Sequence, residues 1–160
     1  MPTVTKKYIR QQRRHGGAPY GNVWRQRYNM TTNASGVIVD SDQATAVIVN
    51  DVVRLGIIDG GIELQNAEAI ISDAFATSTT CRIGFQYVDG VDSAAVPQND
   101  AFFFAAGTVL SSAARLVNSA TAAPVVLPKD AYLILTATGA NHSAAGILDV
   151  IVTGQVVGTT

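Results

Sequence analysis

The fold is decided by the stretch TTCRIGFQY, residues Thr79–Tyr87. Its odd positions spell T-C-I-F-Y and its even positions spell T-R-G-Q, so the apolar side chains recur at every second residue. Successive side chains of a β-strand point to opposite faces, and this period of two therefore predicts a strand with one buried face. Cys81 lies on the apolar face, where no basic side chain activates it, and we expect a buried, unreactive thiol.

A second strand is predicted from Gly146 to Val157. Leu148, Val150 and Val152 share one face of this segment, whereas Asp149 and other polar residues occupy the opposite face. Ile151 breaks the polar side. A long strand near the C-terminal end of the sequence follows.

The residues from 53 to 71 predict two strands joined by a tight turn. Apolar residues alternate over positions 53–57, and Asp59-Gly60-Gly61 then supplies residues that tolerate the positive φ of a hairpin turn. In the next run the apolar positions are even at 62 and 64 but odd at 67, 69 and 71. One extra residue near Gln65 or Asn66, a β-bulge, accounts for this change of phase.

The rest of the body shows the same kind of short segment. Pro124 and Pro128 bracket a brief apolar run, and residues 131–138 form a β-rich run that ends at Gly139, which predicts another strand pair. Only Thr108–Leu116 has a briefly helical pattern. Eight to ten short strands predict an all-β, jelly-roll-like antiparallel β-sandwich. The single cysteine disfavours an immunoglobulin-like domain, which often has paired cysteines.

The charges divide the 160 residues into two parts. Seven basic residues precede the first acidic residue, Asp40, whereas the remainder holds four basic and twelve acidic residues, so that +7 is joined to −8. The composition changes near residue 36, and we expect a basic extended N-terminal arm over residues 1–35 and a sandwich body over residues 36–160. Neither an apolar window of about 18 residues nor a secretory signal is visible, so we expect no membrane partner.

Four segments resemble the small virion proteins of tailed bacteriophages: NDVVRLGII (50–58), SDAFATSTTCRIGF (72–85), PKDAYLILTATGA (128–140) and GILDVIVTGQVVG (146–158). The similarity covers roughly residues 45 to 158. In that group a strand of the form D-x-[VI]-R-L-G enters a glycine-containing turn, and the chain closes on a strand near its end. The resemblance implies a head cement or decoration protein with a jelly-roll core, which binds the outside of the shell and joins neighbouring capsid subunits.

The residues themselves offer no catalytic or metal-binding set. No G-x-S-x-G nucleophile elbow occurs, His142 lies among loop-forming residues where we expect it at the surface, and one cysteine with two histidines cannot form a zinc cluster. The pairs Asp40/Asp42 and Asp89/Asp92 lie in polar stretches in which Asp commonly accepts hydrogen bonds from its own turn. We therefore expect no enzyme, no cofactor and no metal.

Aromatic residues occur at two notable places. We expect at least two rings of Phe102-Phe103-Phe104 in the core and one at an interface, because three adjacent rings cannot all point inward from a regular strand. In the arm, aromatic residues are interleaved with the basic ones, a mixture that suits protein hot spots as well as nucleic acid. The candidate partner-binding residues are Lys6, Lys7, Arg10, Arg13, Arg14, Tyr20, Trp24, Arg25, Arg27 and Tyr28.

We expect residues 23–31 to pair as an edge strand or to lie on a neighbouring molecule. The favoured function is a phage capsid cement protein at the exterior of the virion, assembled in the host cytoplasm, with the major capsid protein and further copies of itself, as a dimer or trimer, as partners. Nucleic acid is the less favoured partner. Two alternatives stay open: a small-virus jelly-roll coat protein with a genome-binding arm, and a tail-associated carbohydrate- or receptor-binding module.

Overall fold

A computed structural model describes residues 3–5, 22–119 and 122–157, and this part of the chain forms ten strands and no helix. The described residues accordingly include no helix that could cross a membrane. The strands are β1 (Thr3–Thr5), β2 (Val23–Thr32), β3 (Val52–Ile58), β4 (Ile62–Asp73), β5 (Thr79–Tyr87), β6 (Asn99–Val109), β7 (Ala114–Val117), β8 (Val125–Val126), β9 (Ala131–Gly139) and β10 (Gly146–Val156).

Two sheets form a sandwich, which confirms the all-β class predicted from the sequence. Sheet I has the strand order β1-β3-β9-β5-β6, and sheet II has the order β2-β10-β4-β7 with the short β8 also paired to β4. Among the described strands, only the β1–β3 pairing is parallel. The strands from β2 to β5 alternate between the two sheets.

The core lies between the sheets and follows from the period of two in each strand. Burying one large aliphatic or aromatic side chain contributes about 1.5–3 kcal/mol, which is why the alternating segments become strands of a sandwich. Both strongly alternating segments are confirmed, with β5 between β6 and β9 and β10 between β2 and β4. The largest fully buried side chains are those of Tyr28, Tyr87, Phe85, Phe103, Met30, Leu55, Ile58, Ile62, Leu64, Ile71, Ile83 and Leu110.

The predicted β-bulge is present in β4. Asn66 pairs with Thr153 and Leu64 pairs with Gly154, so that Gln65 is the extra residue on the β4 side. Gln65 and Asn66 are both exposed, and the residues on either side return to the core with opposite parity. The change of phase in the sequence therefore located the irregularity to within one residue.

The turn at residues 59–61 exists, but it does not form a hairpin. β3 belongs to sheet I and β4 to sheet II, so the turn carries the chain across one end of the sandwich. Gly61 has φ of 80° and donates its N–H to the Leu127 carbonyl at 2.7 Å. A Cβ at Gly60 would lie 2.8 Å from the Lys129 Cα, so the close packing of these two loops requires glycine there.

Two further local expectations are wrong. The short run after Pro124 pairs with β4, and not with the following strand β9, because Val125 and Val126 lie opposite Leu64 and Glu63. Residues 108–116 contain no helix, since β6 continues to Val109 and β7 begins at Ala114. Between them Leu110 is fully buried, accepts a hydrogen bond from the Phe75 N–H and donates its own N–H to the Thr79 carbonyl. This tertiary packing overrides a weak helical pattern.

The described residues before the boundary predicted at residue 35 lie in the sandwich. The described residues before it contribute two strands to the sandwich: β1 lies beside β3 with Val4 buried, and β2 lies beside β10 over ten residues. The side chains at 24, 28, 30 and 32 are buried while those at 23, 25, 29 and 31 face outward or are partly exposed. β2 stands at the end of the strand order of sheet II and, among the described strands, pairs with β10 alone, so residues 23–31 form an edge strand as expected.

Candidate partner-binding surface

Six of the ten predicted partner-binding residues lie outside the described part of the chain: Lys6, Lys7, Arg10, Arg13, Arg14 and Tyr20. Their segment is attached to the sandwich at both ends. β1 ends at Thr5, where Asp42 accepts the Thr5 N–H at 2.8 Å, and β2 begins beside Asn22, whose carbonyl accepts the Val156 N–H at 2.7 Å. The described strands on either side of residues 6–21 therefore both belong to the sandwich.

Trp24 and Tyr28, two of the residues predicted to contact a partner, lie in the core of the sandwich and not on its exposed surface. Trp24 is 7% exposed and Tyr28 is fully buried. The Tyr28 hydroxyl donates a hydrogen bond to the Ile57 carbonyl at 3.0 Å, which ties β2 of sheet II to β3 of sheet I. Burial raises the pKa of Tyr28. Both rings face inward because they share the parity of Met30, and their apolar area is worth more in the core than on the surface.

Arg25 and Arg27 do face outward, and the sheet places three further charged residues next to them. Arg27 lies opposite Ile151 of β10, which lies opposite Glu68 of β4. Neighbouring positions bring Asp149 of β10 and Arg115 of β7 onto the same outer face of sheet II. We call this surface the charged face and define it by Arg25, Arg27, Glu68, Arg115 and Asp149.

The charged face is a network of ion pairs. Arg27 binds Asp149 through Nε and Nη2, at 2.9 and 2.8 Å, and Asn29 donates to the same carboxylate at 2.8 Å. Glu68 accepts a hydrogen bond from Arg115 at 3.1 Å and lies 4.0 Å from Arg25. The hydrogen bond to Asp149 raises the pKa of Arg27. Arg27 and Arg115 are thereby joined to the two acids by charge-assisted hydrogen bonds.

The arginine side chains of the charged face are more exposed than the acids that they bind. The side chains of Arg25, Arg27 and Arg115 are 58%, 64% and 65% exposed, whereas those of Glu68 and Asp149 are 26% and 13% exposed. Each guanidinium has five N–H donors and uses only some of them within the face. The surface can therefore donate further hydrogen bonds to carbonyls or carboxylates of a partner, with an excess of one positive charge.

Histidine and cysteine are both held in the core. Cys81 is buried as expected, and desolvation raises its pKa to about 12. His142 lies in a loop as expected, but it is 1% exposed rather than at the surface. Burial lowers the pKa of His142 to about 4, and its ring packs edge-on against Phe75 with the centroids 5.2 Å apart. Within residues 3–5, 22–119 and 122–157 no three His, Cys, Asp or Glu side chains are grouped as metal ligands.

The aspartates of the 89–92 stretch act as turn residues, as predicted. Asp89 accepts the Val91 N–H at 3.0 Å and binds Lys129, while Asp92 accepts the N–H groups of Ser93 and Gln98. The contact with Lys129 lowers the pKa of Asp89. These carboxylates are engaged in fixing loops and are not poised for acid–base chemistry.

The three phenylalanines of β6 behave partly as expected. Phe103 and Phe104 are 1% and 4% exposed, which confirms two rings in the core. Register shifts in the pairing of β5 with β6 allow these two adjacent side chains to face the same side. Phe102 is half-buried and packs edge-on against Phe85 and Phe103. The expectation of one ring at an interface stays a prediction.

Sequence reasoning missed the acidic half of the charged face and the arginine of the NDVVRLGII segment. Arg54 stacks on Tyr132, with its Cζ 4.4 Å from the ring centroid, and its Nε is buried without a hydrogen-bond partner. Only the pairing of β3 with β9 brings these residues together, so no local pattern could have found them.

Two solved structures share this fold over nearly the whole chain. A chain of the capsid of Ralstonia phage GP4 aligns with a TM-score of 0.67 at 15% sequence identity and covers 99% of this chain and 100% of that chain. A chain of the capsid asymmetric unit of cyanophage Pam1 aligns with a TM-score of 0.59 at 15% identity and covers 89% and 91%. Protein-family models and curated protein sequences give no significant match. The likeness is therefore one of fold, and the fold is that of chains found in phage capsids.

Proposed function

We propose that the chain is a structural protein of a tailed-phage virion, and specifically a capsid cement or decoration protein. In this role it binds the outer surface of the head, bridges neighbouring major capsid protein subunits and stabilises the shell. The observation that carries the proposal is the fold shared with a chain of the GP4 capsid over 99% of this chain and 100% of that one. Virion proteins of this kind need a rigid body and surfaces for neighbours, and the sandwich supplies both.

The charged face supports a protein partner over nucleic acid. Its arginines are already neutralised in part by Glu68 and Asp149, so a phosphate backbone has to compete with bound carboxylates. A protein surface instead offers carbonyls and carboxylates for the exposed donors and basic groups for the acids below them. Arg25 and Arg27 are therefore retained as proposed capsid contacts, whereas Trp24 and Tyr28 are not.

The basic segment 6–21 is proposed as a second contact with the acidic exterior of the capsid. It carries Lys6, Lys7, Arg10, Arg13 and Arg14 and no acidic residue. Sixteen residues at about 3.3 Å each have a contour length of about 50 Å, and a segment held at both ends reaches at most about half of that. The reach is sufficient for an adjacent subunit but shorter than a free arm would give.

Many weak contacts can hold a shell when the copies are linked. We propose that the chain forms a homodimer or homotrimer on the outside of the virion and joins the head after synthesis in the host cytoplasm. Each exposed ion pair contributes about 0.2–1 kcal/mol, and linkage of several such contacts raises the overall affinity by orders of magnitude. No catalytic step is part of this function, in keeping with the burial of Cys81 and His142.

The test is addition of purified protein to phage heads assembled without it. We expect saturable co-sedimentation with the heads, weakened as salt is raised from about 0.05 to 0.5 M because exposed charges are screened. The neutralised variant with Lys6, Lys7, Arg10, Arg13 and Arg14 all changed to Gln should bind more weakly. Substitution is preferable to deletion, because removal of residues 1–21 would also remove β1.

Two results would refute the cement role. Binding of the purified protein to DNA at about 0.15 M salt, without binding to heads, would instead indicate a genome-binding coat protein. Binding to host glycans, lost on substitution of Phe102, without binding to heads would indicate a receptor-binding module.

A further inference from the structure

The outer face of sheet I contains a cavity of about 330 Å³ next to a buried hydroxyl that has no partner. Its lining includes Val52, Ile134 and Thr136 of the sheet, together with Gln98, Asn99 and Asp100 at the start of β6. Thr136 is 1% exposed, and its Oγ1 makes no hydrogen bond. Buried polar groups are nearly always hydrogen-bonded, so the unpaired hydroxyl in the lining is a donor that a polar ligand can use.

The cavity is built by the crossing of β6 over the sheet. Thr136 of β9 is paired with Val52 of β3 on one side and with Arg82 of β5 on the other. Gly84 follows Arg82 by two residues on β5. The start of β6 passes directly over Gly84, where an added Cβ would lie 2.0 Å from the Asn99 carbonyl oxygen. The sheet therefore forms the floor, and residues 98–100 form one wall.

The charge next to the cavity is positive. Arg82 is neutralised by Asp100, with Nε 2.7 Å from Oδ2 in an ion pair whose angle departs from that of a hydrogen bond. Arg54 lies opposite Ile134 in the cavity floor and has no carboxylate partner. Every other arginine and lysine in the described part of the chain lies within 4.0 Å of an acid. Arg54 is thus the unpaired cation of the described residues.

The unpaired groups at this place are suited to an anion. The Thr136 hydroxyl is buried in the lining without a hydrogen-bond partner. Arg54 lies beside the cavity, opposite Ile134, and its Nε–H is buried without an acceptor. An ionised carboxylate only accepts hydrogen bonds and can receive several at once. The apolar side chains of Val52 and Ile134 suit the methylene groups that precede such a carboxylate. The cavity has room for one short side chain and is lined on several sides by amides.

We propose that this cavity, together with Arg54, receives the carboxylate of an aspartate or glutamate side chain of a partner protein. The outer face of sheet I is then a second docking surface, on the opposite side of the sandwich from the charged face. A copy with two such faces contacts one neighbour through sheet II and another through sheet I. The motif arginine of NDVVRLGII, which the sequence pattern treats as part of a strand, becomes a recognition residue.

The test is titration of the full-length protein with two short peptides, followed by nuclear magnetic resonance. The probes are acetyl-Gly-Glu-Gly-amide and its Gln counterpart, at constant ionic strength. We expect the Arg54 Nε–Hε and Thr136 methyl signals to shift saturably with the Glu peptide, with a Kd on the order of 10 mM for so small a ligand, and not with the Gln peptide. Lys129→Gln, which removes a paired cation at the end of the sandwich and outside both faces, should leave the titration unchanged.

Two variants make the assignment falsifiable even if one folds poorly. Arg54→Gln should abolish the saturable shift. Thr136→Val keeps the shape of the side chain and should weaken binding of the Glu peptide about ten-fold while the protein stays folded. Equal shifts with both peptides, or wild-type binding by Thr136→Val, would overturn the proposal. So would binding of inorganic phosphate without binding of the Glu peptide, which would indicate an anion site unrelated to acidic side chains.

Discussion

Tyr28 stabilises the sandwich from within, because its ring fills the core and its hydroxyl satisfies a carbonyl of the opposite sheet. Tyr28→Phe keeps the ring and removes the hydrogen bond to Ile57, so we expect a loss of about 1–2 kcal/mol in the free energy of unfolding, measured by urea denaturation. Tyr132→Phe, at a half-buried position, is the control and should change it by less than about 0.5 kcal/mol. Equal effects of the two substitutions would contradict this account.

His142 makes stability depend on pH. Its pKa is lowered from 6.5 to about 4 in the folded chain because burial disfavours the charged ring. The unfolded chain therefore binds more protons between about pH 6.5 and pH 4, and stability is lost as the pH falls through that window. We expect this residue to account for about 3 kcal/mol of the loss. In His142→Leu this part of the pH dependence should disappear from urea denaturation curves; parallel profiles for the two proteins would refute it.

At the scale of the elements, the path of β6 depends on Gly84 in the neighbouring strand β5. It crosses sheet I over Gly84, where the Asn99 carbonyl leaves no space for a side chain. Gly84→Ala should displace the start of β6 and lower the free energy of unfolding by about 3 kcal/mol, the upper end of the usual cost of overpacking a dense site. Gly107→Ala, which has open space but φ of 90°, should cost only about 1 kcal/mol. A larger loss of stability for Gly107→Ala than for Gly84→Ala, measured by thermal unfolding, would contradict the close crossing of β6 over Gly84.

The same elements show what a sequence can predict. β5, β10 and the bulge of β4 were predictable because each is encoded in its own period of two. The partner of a strand is not encoded in this way: Asp59-Gly60-Gly61 is a turn in any fold, and only the packing of Gly60 against Lys129 makes it a crossing between sheets. The arginines of residues 23–32 favour an arm, although the even-numbered positions of Trp24, Tyr28 and Met30 indicate a strand with one buried face.

At the scale of the whole molecule, the two outer faces carry the proposed function. The double substitution Arg25→Gln and Arg27→Gln removes two exposed guanidinium groups from the charged face while Asn29 still binds Asp149. We expect at least about ten-fold weaker binding to heads and a flatter dependence on salt, measured by co-sedimentation. Lys129→Gln also breaks an exposed ion pair, at the end of the sandwich, and should bind like the wild type. Unchanged binding by the double variant would exclude the charged face as a capsid contact.

The cement role makes a direct claim about position. A cryo-EM reconstruction of the intact virion, compared with one of heads assembled without the chain, tests this claim more directly than any variant. We expect the sandwich on the outside of the shell, in contact with at least two neighbouring capsid subunits, and absent from the second map. Density for the sandwich on the inner surface against the genome, or in the tail alone, would contradict the account.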